Sequence, residues 1–174
     1  MPSMNFCPQC ASPLIKAEAS GRERLVCSKP CGYVFYDNPL PVVGAIVEYD
    51  DDTVVLTQNI GWPAEWFGIV TGFLERGEEP TDAILREIRE EIGLTDARIV
   101  EFLGIYTFFQ RNEIIFTYHV RASGEIKMDQ TELAAIKIVP IHKLRPWPFG
   151  TGPAVAEWLR KRGIEPPQRT DKLV

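Results

Sequence analysis

Residues 72–94 read Gly-Phe-Leu-Glu-Arg-Gly-Glu-Glu-Pro-Thr-Asp-Ala-Ile-Leu-Arg-Glu-Ile-Arg-Glu-Glu-Ile-Gly-Leu, a glycine-bearing loop that feeds a short acidic helix. Pro80 suits the first helical turn, where a backbone N–H has no partner to lose. Thr81 is expected to add a capping hydroxyl, and Asp82 a negative charge at the positive end of the helix dipole. Leu85, Ile88 and Ile92 recur at helical spacing and predict the buried stripe. Gly93 predicts the stop. Glu87, Glu90 and Glu91 stand at i, i+3 and i+4, so three carboxylates are expected on one face. At that spacing they repel and raise one another's pKa. A hard divalent cation, Mg²⁺ or Mn²⁺, would relieve the repulsion. Arg86 can tie the loop to the helix by a bidentate pair with Glu78. An acidic helix face alone is most often a solvated surface. The loop glycines Gly72 and Gly77, together with Glu78, shift the balance toward a metal site.

The chain has four cysteines, in two close pairs: Cys7-Pro8-Gln9-Cys10 and Cys27-Ser28-Lys29-Pro30-Cys31. Two such pairs across a hairpin-sized spacer, with a turn near Ser20-Gly21, predict a closed four-thiolate Zn²⁺ site of structural type. A segment this small buries little core, so metal would supply most of its folding free energy. Two disulfides, or a redox pair, are the rival readings. The N-terminus lacks a basic region followed by an apolar core, so no signal peptide is expected, a cytoplasmic location is the default, and disulfides are disfavoured. The second pair has three intervening residues rather than two, with Pro30 as the extra one.

At 174 residues, 45% hydrophobic and 25% charged, the composition is that of a globular domain with a small appendage. A net charge of −5 gives no electrostatic footprint for general nucleic-acid or membrane binding. No apolar run approaches the roughly 20 residues that span a bilayer. The expected organisation is a zinc segment over residues 1–37, a main domain over 38–164, and a mobile tail over 165–174. Within the domain, strands are expected at 42–49, 53–58, 66–70, 97–109, 113–122 and 135–140. Helices are expected at 81–92 and 152–162, with a helical turn at 141–144. A mixed sheet with a helix on each side makes an α/β (α+β) sandwich.

The acidic run resembles the Nudix box: Gly72, five residues, Glu78, seven residues, then Arg86-Glu87-Ile88-Arg89-Glu90-Glu91-Ile92-Gly93-Leu94. Nine positions are specified, and a chance match in a chain this long is on the order of 10⁻⁷. A zinc ribbon ahead of such a box resembles the NADH pyrophosphatase branch of the Nudix hydrolases. Together the two resemblances cover about residues 5–162. Two features depart from the pattern. The Ser-Gln-Pro-Trp-Pro-Phe-Pro signature of that branch is missing after the box, where residues 104–112 read Gly-Ile-Tyr-Thr-Phe-Phe-Gln-Arg-Asn. Arg145-Pro146-Trp147-Pro148-Phe149 looks similar but lies far downstream, and Trp147 and Phe149 are expected to pack under the C-terminal helix. Val70-Thr71-Gly72 stands where many relatives have Pro-Gly-Gly.

The resemblance implies a Nudix sandwich and metal-dependent hydrolysis of the diphosphate linkage in a nucleoside diphosphate derivative: a dinucleotide such as NADH or FAD, ADP-ribose, or a nucleotide sugar. It implies Glu87, Glu90 and Glu91 as Mg²⁺ or Mn²⁺ ligands, with Glu78 and Arg86 orienting loop and helix. The general base is Glu90 or, on a later loop, Glu132. Gly72 lets the loop bend near substrate. Trp66 and Phe67 are the expected base-stacking rings among Trp62, Trp66, Phe67, Tyr106 and Phe108. A homodimer is usual for the family. His119 is expected to be a satisfied core histidine, His142 a surface residue, and Arg160-Lys161-Arg162 a solvated helix end. The alternatives are a nucleotide sensor that does not hydrolyse its ligand and an RNA 5′-cap hydrolase. The intact box argues against the first, and the acidic balance against the second.

Overall fold

The computed structural model describes residues 4–166. The tail expected over 165–174 lies, from residue 167 onward, outside them. The chain divides between Pro39 and Leu40 into two compact units. In the first, β1 (Leu14–Ala19) and β2 (Arg22–Cys27) form an antiparallel hairpin, and β3 (Val34–Phe35) pairs with β2. Ser20 and Gly21 make its two-residue turn, both at positive φ (55° and 74°), the conformation that matches strand twist.

In the second unit, β4 (Leu40–Tyr49), β5 (Thr53–Asn59), β6 (Val70–Phe73), β7 (Arg98–Phe108), β8 (Glu113–Ala122) and β9 (Leu133–Pro140) build one mixed sheet. Its order is β7-β8-β4-β5-β9, with β6 paired to the first half of β4. β4 and β8 run parallel and the other pairs are antiparallel. β4 is almost unbroken apolar sequence because both its faces are covered. Val43, Ala45 and Val47 pack against Ile84, Ile88 and Ile92 of α1 (Pro80–Ile92). Ile46, on the opposite face, packs with Val155, Trp158 and Leu159 of α2 (Gly152–Lys161). The result is a sheet between two helices, as expected.

Three local expectations are corrected. Residues 66–69 lie in a loop that touches the sheet at the Thr57–Gly68 bridge, and the strand is Val70–Phe73. Pairing with β4 sets this register, because Val70 lies opposite Ala45 and Gly72 opposite Val43. The first residue of the box is therefore inside the sheet. On α1 the fully buried stripe is Ala83, Ile84, Ile88 and Ile92, and Leu85 is only partly buried. The helix begins at Pro80 with Glu79 as its cap residue and no side-chain capping bond, so Thr81 does not cap. Gly93 does end the helix, at φ 74°.

The α2 face of the sheet holds a buried charge. Glu48, 2% exposed, accepts a bond from His119 Nε2 at 2.6 Å, from Arg162 at 2.6 and 3.2 Å, and from Arg121 Nε at 3.3 Å. His119 is thus a satisfied core histidine. Arg162, expected to be solvated, instead ties the end of α2 to the sheet and lies 4.3 Å over the Trp158 ring. Burial raises the Glu48 carboxyl, but its bond to His119 and the arginine charges outweigh that and hold it below the ordinary value. Removing one partner of a buried ion pair leaves uncompensated charge behind. Glu48→Ala is therefore expected to destabilise the chain by about 3 kcal/mol, the lower end of the range because the arginines are partly exposed. Urea unfolding of the two proteins checks this.

Candidate active site

Arg86 holds the box together. Its Nε and one terminal nitrogen bond both oxygens of Glu78, at 2.8 and 3.0 Å, which is the fork pairing expected from sequence. The other terminal nitrogen reaches Glu87 at 2.8 Å and Glu90 at 3.0 Å. A further bond, 3.2 Å, goes to the Phe73 carbonyl at the end of β6. The loop closes on itself where Glu75 N–H donates to Glu78, and Gly77 turns it at φ 82°. The bond from Arg86, larger than the opposing effect of burial, holds the Glu78 carboxyl below its usual range. The Arg86 guanidinium, held chiefly by Glu78, stays charged.

The three helix carboxylates are not equivalent in burial. Glu87 and Glu91, four residues apart, are 8% and 2% exposed, while Glu90 is exposed. Glu87 turns toward β6, and its carboxyl lies against the backbone of Gly72. A Cβ built on Gly72 would stand 1.9 Å from the Glu87 carboxyl carbon. Burial raises the Glu87 pKa against the pull of Arg86, with the charges of Glu90 and Glu132 adding to the rise. In Glu91, burial and then the charges of Glu87, Glu132 and Asp129 push the carboxyl to about 8. One Glu91 oxygen is fully buried with no hydrogen-bond partner.

Glu132 lies on the loop before β9. It is exposed, but its charge is felt by both buried carboxylates. That loop is fixed at both ends. Asp129 N–H donates to the Glu91 carbonyl at 2.9 Å, and Ile60 N–H donates to the Glu132 carbonyl at 2.9 Å. The Asp129 carboxylate accepts the Thr131 N–H and hydroxyl, each at 2.7 Å. Sequence reasoning passed over Asp129; its signal is the Asp-x-Thr spacing of a side-chain-closed turn.

A buried, partnerless carboxylate oxygen is an unstable arrangement on its own. The unpartnered Glu91 oxygen and the buried Glu87 carboxyl, with Glu90 between them on the helix, supply the oxygen donors that a hard divalent cation prefers, so these residues fit Mg²⁺ or Mn²⁺. In the first unit the four cysteine sulfurs lie within 4.8 Å of one another, with separations of 3.4 Å (Cys10–Cys27), 3.6 Å (Cys7–Cys31) and 3.7 Å (Cys10–Cys31). Sulfurs at the corners of a tetrahedron around zinc are about 3.8 Å apart. Disulfide sulfurs would be near 2.0 Å. Bonds from the Ser12 side chain and backbone bring the Cys10 thiol down to about 6. At Cys27 the Lys29 N–H favours the thiolate, but burial and the neighbouring sulfurs outweigh it and push the thiol up to about 12. Thiols this crowded cannot all ionise without a cation among them.

The expected stacking rings separate. Trp66 is 44% exposed, and its ring lies 5.9 Å from that of Phe149. Phe149 in turn stacks on Phe108 at 5.7 Å. Phe67 packs into the α2-side core under Lys137, Trp62 lies against Gly68, and Tyr106 donates to Glu157 at 2.8 Å. Phe149 was expected only to pack under the helix. It instead links Trp66 to the sheet.

A NUDIX domain family model matches residues 38–161. A NAD-capped RNA hydrolase NudC of Pseudomonas putida is 26% identical over 155 residues, covering 88% of this chain and 54% of that protein. The chain thus spans about half the length of the curated relatives it matches. Among solved structures, a NUDIX hydrolase from Nitrosomonas europaea superposes with a TM-score of 0.73 at 20% identity, covering 94% of this chain and 96% of that one. A UDP-X diphosphatase superposes at 0.57 and 22% identity, covering 79% and 69%. These two show a shared fold.

Two outcomes are expected from this geometry. Gly72→Ala should displace the Glu87 carboxyl by an ångström or more and lower hydrolytic kcat/KM by about a hundredfold while the protein stays folded, read by steady-state kinetics beside circular dichroism. The second concerns pH. Glu91 has a folded pKa raised above its unfolded value, so its contribution to stability is complete below about 4.5 and falls away until pH passes about 8. Before Mg²⁺ or Mn²⁺ is added, wild type should lose Tm relative to Glu91→Gln between those values. Added cation should restore it.

Proposed function

This chain belongs to the Nudix family, and we propose that it hydrolyses the diphosphate linkage of a nucleoside diphosphate derivative by divalent-metal-dependent attack of water at phosphorus. The observation that carries the reading is the buried, partnerless Glu91 oxygen beside the buried Glu87 carboxyl. Glu87, Glu90 and Glu91 would hold Mg²⁺ or Mn²⁺. The cation would neutralise charge on the phosphoryl oxygens and acidify water. Arg86 and Glu78 fix the loop against the helix, and with it the Gly72 backbone that seats Glu87. Glu132, or else Glu90, takes the proton from the attacking water. Glu132 is favoured by its position on a pinned loop within electrostatic reach of Glu87 and Glu91. Glu90 is already engaged by Arg86. The Trp66–Phe149–Phe108 group offers a face on which a base can stack. Cys7, Cys10, Cys27 and Cys31 would hold a structural Zn²⁺.

The name of the Pseudomonas relatives, NAD-capped RNA hydrolase, puts NAD-linked diphosphates within the substrate class and keeps an RNA-linked substrate as a second reading. Turnover of NADH, NAD, ADP-ribose, FAD and nucleotide sugars, with Mg²⁺ and with Mn²⁺, read as the phosphate that an added phosphatase frees from the phosphomonoester products, tests the proposal. Cleavage of one or a few of them is expected, with Glu90→Gln and Glu132→Gln each lowering kcat by at least about a hundredfold without loss of fold. Binding of these nucleotides with no turnover would support the sensor reading instead.

A further inference from the structure

One buried acid next to the aromatic group takes no part in the proposed chemistry. Glu113 opens β8 and is 8% exposed. It stands directly opposite Phe108 on β7 and Leu40 on β4, so its side chain shares the face of the sheet that carries Phe108. Phe108 stacks on Phe149, and Phe149 meets the half-exposed Trp66. In the next row on that face, Phe73 of β6 lies beside Val42, which pairs with Ile115, and Phe73 is 57% exposed. Phe73 also supplies the carbonyl that binds Arg86, so the aromatic face and the box meet at one residue.

Among the described residues the Glu113 carboxyl has a loose ion-pair partner, Arg111 Nε at 4.0 Å, which is beyond hydrogen-bond distance. Burial raises the Glu113 carboxyl above its usual range, and Arg111 opposes this only partly. A buried carboxylate without close donors is unfavourable unless something brings donors to it. It is also an acceptor only.

Building on the reading of this chain as a nucleotide diphosphatase, we propose that Glu113 is a specificity residue that accepts hydrogen bonds from the amino-bearing edge of a nucleobase stacked on the Trp66–Phe149–Phe108 group. Guanine fits best, since its ring N–H and 2-amino group are adjacent donors. Adenine and cytosine offer one amino group. Uracil flanks its single N–H with two carbonyl oxygens that would face the carboxylate. A well-made contact of this kind discriminates between bases by about five- to 150-fold.

Calorimetric titration of the full chain with GDP, ADP and UDP, without added divalent metal, tests the assignment. Wild type is expected to bind GDP most tightly and UDP most weakly, with a gap of at least about fivefold. Glu113→Gln, which replaces one acceptor by a donor, is expected to bring the three affinities together. Glu113→Asp, which withdraws the charge by one methylene, should narrow the gap in the same direction and serves if the Gln variant does not fold. Equal binding of all three by wild type would overturn the proposal, as would a folded variant with the ranking unchanged. Turnover without base ranking overturns this assignment alone. Base-ranked binding without turnover overturns the enzymatic reading and leaves this one standing.

Discussion

The contact between the Glu87 carboxyl and the Gly72 backbone sets the geometry of everything around it. It requires a strand and a helix to approach so closely that even a methyl group on the strand would overlap the acid. β6 can take that position because it pairs with β4, and α1 because Ile84, Ile88 and Ile92 bury against the same strand. Arg86 then spans the gap, with bonds to the loop, the helix and the end of β6. The loop is therefore held by charge-assisted bonds to a rigid frame, which is what a metal-binding constellation needs to keep its geometry. The substitutions that matter most here are small ones on backbone-facing positions, rather than large deletions from the core.

Much of this was legible in the sequence because the relevant signals are local. The box spacing gave the Arg86–Glu78 pair and the Gly93 stop, since both depend on helical periodicity and loop length alone. The cysteine spacing gave the convergent thiols for the same reason. What the sequence concealed depends on pairing between distant strands. The start of β6 could not be read from residues 66–70, whose aromatic and apolar character resembles a strand. Only the register against β4 shows that they form a loop. The helix stripe was displaced by one residue, from Leu85 to Ile84, because a short helix with alternating acids and apolar residues supports two nearly equivalent faces. The sheet decides between them. Phe149 and Arg162 have no motif that announces them, and the local turn that marks Asp129 does not say what it docks against. Each acquires its place from a partner 38 or more residues away, Glu91, Phe108 or Glu48.

The fold treats its buried acids in opposite ways, and the contrast separates structure from function. Glu48 and Glu91 are both 2% exposed. Around Glu48 the chain collects a histidine and two arginines from β8 and the end of α2, so the carboxylate keeps its charge and its pKa falls. Around Glu91, burial and then the like charges of Glu87, Glu132 and Asp129 drive the carboxyl up to about 8, and one of its oxygens has no partner. A core acid needed only for stability would be neutralised from within, as Glu48 is, or replaced by an apolar residue of similar size. A chain that assembles like charges around a buried acid, and pins the loop that carries two of them, leaves that acid without a counter-charge of its own, the balance that a divalent cation would supply under the proposed function.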